Sequence, residues 1–221
     1  MLAPVERFLI ELWNMRWQLG EGLIVTVEIS AAAIIVGSLI GLFVGIGLAF
    51  AGRPLRWPLR AYVDVVRGTP VLVLILAAFY ILAVFGVQFT ATQSGIFALS
   101  LFCGAHLGEI FRGALQAIPL TQIEAGRSMG LRMPQILRLI LLPQAFRQVL
   151  PVWINTAVEI VKASTLLSII GVGELLLKTQ EIIGRTFLTL DFYVFAGLIY
   201  FFINLSIERI GRRAERRFAL T

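Results

Sequence analysis

Glu159 and Lys162 are the only charges inside an otherwise apolar stretch running from about Val149 to Val172. A charge at the centre of a bilayer costs about 2.5 to 3.5 kcal/mol on insertion scales, so such residues usually face a partner or a wet cavity. At about 100° per residue, Asn155, Glu159 and Lys162 fall within about 60° of one another on a helix. An ammonium and a carboxylate placed this way could pair with the opposite groups of a zwitterionic solute along a translocation path. They could equally pair with each other and only hold a helix bundle together. Thr69-Pro70 reads as an N-cap and first-turn pair, so a helix starts or restarts there with its N-terminus facing a solute carboxylate. The alternative is a kink at the membrane surface with Arg67 snorkelling outward. His106, Glu109 and Arg112, spaced three apart, suit local hydrogen bonding. The sequence has one cysteine, Cys103, and one histidine, so it builds neither a disulfide framework nor a multi-Cys/His metal site. It contains no G-x-S-x-G or H-E-x-x-H pattern for an intramembrane hydrolase, and no G-x-x-x-x-G-K-[ST] phosphate loop.

These residues are carried by a chain built for lipid. Of 221 residues, 58% are hydrophobic and 14% charged, with a mean hydropathy of +0.89. The net charge of +6 does not imply nucleic acid, because the basic residues lie between long apolar runs and form no single face. The run from Ile29 to Gly52 carries no charge and supplies one span. The next uncharged run, Gly68 to Gly108, would be about 60 Å long as one helix, twice the hydrocarbon thickness, so it folds back at the polar stretch Gln88 to Gly95. The expected fold class is an all-α integral membrane protein with five transmembrane helices near 22–51, 66–87, 94–113, 149–172 and 191–209. Residues 1–20 lack a signal-peptide pattern. They instead place Arg7, Glu11, Asn14 and Gln18 on one helical stripe, as an interfacial helix would. Gly37, Gly41 and Gly45 let another helix approach closely, either within the chain or across a dimer.

Arg53, Arg56, Arg60 and Arg67 follow the first span, Arg112 to Arg147 follow the third, and Arg209 to Arg217 follow the fifth. Alternation puts these residues, most of the 19 lysines and arginines, on one side. The positive-inside rule makes that side cytoplasmic, with the N-terminus extracytoplasmic and the C-terminus cytoplasmic. The loop 114–147 is long and amphipathic, so it should be folded. A short helix stops at Gly130, restarts with Pro134 in its first turn and stops again at Pro143, giving a helical hairpin able to dock into a partner's groove.

Glu124-Ala125-Gly126, three residues, Gly130, nine residues and Ile140-Leu141-Leu142-Pro143 resemble the cytoplasmic loop of the permease subunits of ATP-binding-cassette importers. Arg67-Gly68-Thr69-Pro70, Glu109-Ile110-Phe111-Arg112-Gly113, Leu141-Leu142-Pro143-Gln144-Ala145-Phe146-Arg147 and Lys162-Ala163-Ser164-Thr165-Leu166 narrow the resemblance to the polar amino-acid uptake subfamily, the histidine/glutamine/glutamate type. It covers residues 20 to 215. Gly126 stands for the second alanine of the loop pattern and, being small, leaves docking intact, whereas Ala163, the order Ser164-Thr165 and His106 depart from the subfamily's usual residues and bear on the solute rather than on the class. The resemblance implies a type I permease core in a bacterial inner membrane. In it, Glu124, Ala125, Gly126 and Gly130 form a coupling helix against an ATPase dimer that binds ATP and Mg on other chains. It also implies a second permease subunit, identical or related, and an extracytoplasmic amino-acid-binding protein. Candidate path residues are Asn155, Glu159, Lys162, Ser164, Thr165, Arg67 and Thr69. A secondary transporter or channel subunit is the competing reading; the internal repeat it would favour is not found, since the loop pattern occurs once.

Overall fold

A computed structural model describes residues 4–219, and among them every regular element is helical. The first helix, α1 (Pro4–Phe50), is 47 residues long, which at 1.5 Å per residue is about 70 Å. It contains the expected first span and runs without a break through residue 20, so residues 4–20 are part of the same helix, and residues 1–3 of the expected N-terminal segment lie outside the described residues. Two residues of its polar stripe bond to protein: Arg7 Nη2 donates to the Thr186 carbonyl at 3.0 Å, and Gln18 Nε2 donates to Glu181 Oε2 at 2.8 Å, while Asn14 is exposed. Phe8 sits edge-on to Phe192 and Phe195, while Val5, Leu9, Trp13 and Trp17 stay exposed.

The second expected span is divided. Helix α2 (Arg53–Gly68) buries Val63 and Val66 and exposes its arginines. The apolar helix begins only at α3 (Val71–Leu76), continues through a π-helical turn, Ala77–Ile81, and ends in α4 (Leu82–Val84). The two parts meet at 113°. Pro70 explains the break: its ring disfavours helical geometry for the residue before it, and Thr69 is extended, with φ −106° and ψ 134°. The expected Thr69 cap does not form. Its hydroxyl donates backward to the Val65 carbonyl at 2.7 Å, and Pro70 takes the N-cap position with no side-chain hydrogen bond.

Helix α5 (Ala91–Ala117) opens on a capping box between Thr90 and Gln93 and forms the centre of the molecule. It packs on α1 along the glycine stripe. A Cβ at Gly37, Gly41 or Gly45 would lie 2.5, 2.5 or 2.4 Å from the Cβ of Cys103, Leu107 or Phe111, closer than side chains tolerate. The stripe is therefore spent inside the chain rather than on a dimer.

Two short helices, α6 (Leu120–Ser128) and α7 (Met133–Ile136), precede a π-helical turn, Leu137–Leu141. Helix α8 (Leu142–Ala163) follows directly. The stop expected at Pro143 is absent: the chain is helical on both sides of it. Proline removes one N–H and crowds the preceding turn, and here it lies in the first turn of α8, just past the widened π-helical turn. After Ala163 the helix tightens to 3-10 geometry, Ser164–Ile170. The stretch between the last two expected spans holds α9 (Leu175–Thr186), and α10 (Thr189–Ala219) ends the described chain. Among the described residues, four helical runs, in α1, α5, Met133–Ile170 and α10, are long and apolar enough to cross a membrane, and the bent pair counted as one span makes five.

Candidate functional site

The hairpin of α6 and α7 is built from its turn outward. Met129 ends α6, and Gly130 follows at φ +78°, a left-handed conformation that glycine adopts without steric cost. Gly130 N–H donates to the Arg127 carbonyl at 2.9 Å and Leu131 N–H donates to the Gly126 carbonyl at 3.1 Å, the paired bonds of a Schellman stop. Gln135 Oε1 then accepts from Arg132 N–H at 2.8 Å, at the start of α7. Gly126 is buried, and a Cβ there would lie 2.9 Å from Ile136 Cγ1 and 3.1 Å from Ile140 Cδ1. Its small size serves the hairpin's own packing. Glu124 and Ala125 are exposed on α6, as are Leu120 and Met129.

A second feature lies between α8 and α10, a groove of about 560 Å³ lined by Asn155, Val158, Lys162, Tyr200, Asn204 and Glu208, among others. Asn155, Glu159 and Lys162 are exposed. Among the described residues, Glu159 and Lys162 form no ion pair with each other or with any other side chain. Asn155 and Lys162 line the groove, whereas Glu159 does not. Ser164 is buried and donates to the Val161 carbonyl at 2.8 Å; Thr165 donates to the Lys162 carbonyl at 2.7 Å. Both hydroxyls are thus occupied by their own helix, which is tightening at that point. Arg67 is exposed near the bend, and Thr69 bonds back into α2. Neither lines the groove.

The opposite wall comes from residues that sequence reading left unassigned. Tyr200, Asn204 and Glu208 recur every four residues on α10, a polar stripe in an apolar run, and that spacing was the available signal. Asn204 Oδ1 is buried with no hydrogen-bond partner. Glu208 pairs with Arg212.

Two further polar clusters fix the frame. Glu109 accepts from Arg60 Nη1 at 3.1 Å and Arg112 Nε at 3.0 Å, and Arg60 also bonds Asp64 at 3.1 Å, tying α2 to α5. His106 Nδ1 lies 3.0 Å from the Phe102 carbonyl, a local contact within α5. Between the fourth and fifth spans, Glu174 is wholly buried. Burial raises its carboxyl above the usual carboxylate range, against hydrogen bonds from Tyr200 and the Leu176 and Leu177 amides that pull the other way. Among the described residues no group of His, Cys, Asp and Glu side chains is arranged to hold a metal.

Comparison with known proteins places this architecture. Residues 37–220 match the family described as "Binding-protein-dependent transport system inner membrane component". The L-cystine transport system permease protein of Bacillus subtilis (strain 168) is 34% identical over 90% of this chain and 86% of its own. The glutamine transport system permease protein of Escherichia coli (strain K12) is 31% identical over 93% of this chain and 96% of its own. A chain in a crystal structure of an amino acid ABC transporter with histidines superposes with a TM-score of 0.86, at 30% identity over 94% of this chain and 97% of that one. With the match running from mid-α1 to the end of α10 and the same fold in a solved transporter, the chain belongs to the binding-protein-dependent transport system inner membrane components, the permease subunits of ATP-binding-cassette importers.

Proposed function

We propose that this permease carries polar amino acids into the cytoplasm, driven by ATP hydrolysed on partner chains. Family membership supports the importer part and implies an ATPase and a substrate-binding protein as partners. The observation that carries the solute class is the groove between α8 and α10. Lys162, unpaired among the described residues, shares it with Asn155 and with Asn204, whose Oδ1 is buried and unpartnered. An ammonium offered to a carboxylate, beside amide oxygens offered to an ammonium, complements a zwitterion. The names of the relatives, transporters of L-cystine and glutamine, point the same way. Asn155 and Lys162 touch the solute from α8, with Glu159, Ser164, Thr165, Arg67 and Thr69 lying along the path that opens during transport.

In this reading two permeases, identical or related, face each other, an ATPase dimer binds ATP and Mg beneath them, and an extracytoplasmic protein delivers the solute. The exposed face of α6 around Glu124 and Ala125 seats in the ATPase, with Gly126 and Gly130 shaping the hairpin that presents it. The arginines of α2, of the α5–α8 connection and of α10 support, by the positive-inside rule, a cytoplasmic hairpin and C-terminus and an extracytoplasmic N-terminus. No observation favours a secondary transporter or channel. To test the reading, a tag on this chain is used to purify the complex, and the captured binding protein is titrated with the twenty amino acids. Copurification of an ATPase and binding of at least one polar amino acid are expected; capture of neither partner would refute it.

A further inference from the structure

Glu174 takes no part in the hairpin and does not line the groove, yet it joins three helices. As N-cap of α9, its carboxylate accepts from the Leu176 and Leu177 amides, each at 2.8 Å. The remaining partner is the Tyr200 hydroxyl of α10, which donates to Glu174 Oε2 at 2.6 Å. One residue along, Leu175 N–H donates to the buried Thr26 Oγ1 of α1 at 3.1 Å, and Thr26 in turn donates to the Gly22 carbonyl at 3.0 Å. The start of α9 is thereby tied to α1 and α10 inside protein, where an acceptor left without its donor is costly.

Chain connectivity gives that tie a mechanical meaning. The two walls of the groove are α8, bearing Asn155 and Lys162, and α10, bearing Tyr200 and Asn204. Helix α9 is continuous with the α8 wall through the 3-10 segment Ser164–Ile170 and Gly171, which sits at φ +82°. To α10 it is joined at its far end by Phe187 and Leu188 and along its length by the buried cluster of Leu175, Ile182 and Phe192, while its first turn is held by the hydrogen bond from Tyr200, a residue that itself lines the groove. Separation of α8 from α10 at this end moves either the start of α9 against Tyr200 or the turn at Gly171 between α8 and α9, and the hydrogen bond opposes the first of these.

We infer that the Tyr200–Glu174 hydrogen bond is a latch that holds α9 across the extracytoplasmic end of the groove, and that Tyr200 and Glu174 are positioning residues coupling that end to the ATPase cycle. This rests on the importer reading and its orientation. A hydrogen bond to a buried carboxylate biases a two-state equilibrium by about tenfold or more. With the latch intact, the resting transporter stays closed outside until the delivery protein docks, and futile ATP hydrolysis stays low.

The test uses the assembled permease–ATPase complex in proteoliposomes, with and without the binding protein. Tyr200→Phe deletes only the hydroxyl. It should raise ATPase activity in the absence of binding protein by about tenfold, shrink the stimulation that binding protein then adds, and speed amide exchange across residues 174–180. A residue that merely helps folding would lower assembly without changing that ratio. Glu174→Gln keeps an acceptor for Tyr200 and should move both readouts in the same direction but less; it is the variant to read if Tyr200→Phe does not assemble. Unchanged basal ATPase and unchanged exchange in a variant that assembles would overturn the latch. If the wild-type complex takes up no amino acid, the solute reading fails, while basal ATPase and amide exchange still report on the latch.

Discussion

Lys162 and Glu159 are three residues apart on α8, yet only Lys162 reaches the groove shared with α10. Their side chains therefore have different expected sensitivities. Lys162→Met should remove the charge that receives a solute carboxylate and lower uptake by about tenfold or more, at normal membrane levels. Glu159→Gln should act more weakly, because in this conformation its carboxylate faces no groove-lining partner. Uptake rates for the two variants, normalised to protein in the membrane, check this; equal and full activity in both would remove Lys162 from the path. Glu174 gives a residue-scale prediction of another kind. Its carboxyl is raised above the ordinary range in the folded chain, chiefly by burial, so the folded state holds that proton more tightly than the unfolded state does. The sign follows from linkage: stability is greater below the ordinary carboxylate range and falls as pH rises through it toward the raised folded value. Melting temperature in detergent as a function of pH should show this decline, and Glu174→Gln, with no proton to lose there, should flatten it.

At the scale of elements, missing side chains let helices touch, most extensively along the glycine stripe of α1. Gly45 faces Phe111 and the Gly108 carbonyl, which a Cβ would approach to 2.4 and 2.9 Å. Gly45→Ala should force α1 and α5 apart and cost about 1 to 3 kcal/mol, as overpacking does. Gly113, on the same α5 but with nothing within 4 Å of its Cβ position, is the control. Gly113→Ala should be neutral, or stabilise by up to about 1 kcal/mol through helix propensity. Thermal unfolding of both variants in detergent separates packing from propensity; similar shifts would contradict the glycine-stripe packing. The hairpin obeys the same logic at Gly126, where small size serves the contact with Ile136 and Ile140. That contact frees Glu124 and Ala125 on the exposed side to meet a partner.

For the whole molecule, the apolar runs and their polar breaks were legible from residue types alone, because hydrocarbon length and charge cost constrain sequence strongly. The Gly130 stop was legible for a similar reason: a left-handed residue at a helix end favours glycine. Elsewhere several local preferences competed and tertiary contacts decided. Helix α9 was hidden because Glu174, Lys178, Glu181 and Arg185 look like a polar connection until Thr26 and Tyr200 bury its first turn. Thr69-Pro70 announced a break, but neither its 113° angle nor the contact of α2 with α5 through Arg60 and Glu109 is written in those two residues. Pro143 looked like a stop, and the adjoining π-helical turn shows a helix can pass it. The groove was half legible. Its α8 wall showed as isolated charges, whereas its α10 wall, Tyr200, Asn204 and Glu208, became meaningful only once α8 lay beside it.

The most direct measurement is uptake of radiolabelled polar amino acids into proteoliposomes containing the complete permease–ATPase complex, with binding protein outside in the native orientation and ATP inside or omitted. The same assay is run on a complex carrying Glu124→Arg, which reverses the charge on the exposed face of α6 and leaves the helices of the membrane core untouched. ATP-driven accumulation by the wild type, and its loss with normal assembly in Glu124→Arg, are the expected results. Uptake that proceeds equally without ATP, or full ATP-driven uptake by Glu124→Arg, would contradict the proposed coupling of the α6–α7 hairpin to amino-acid import.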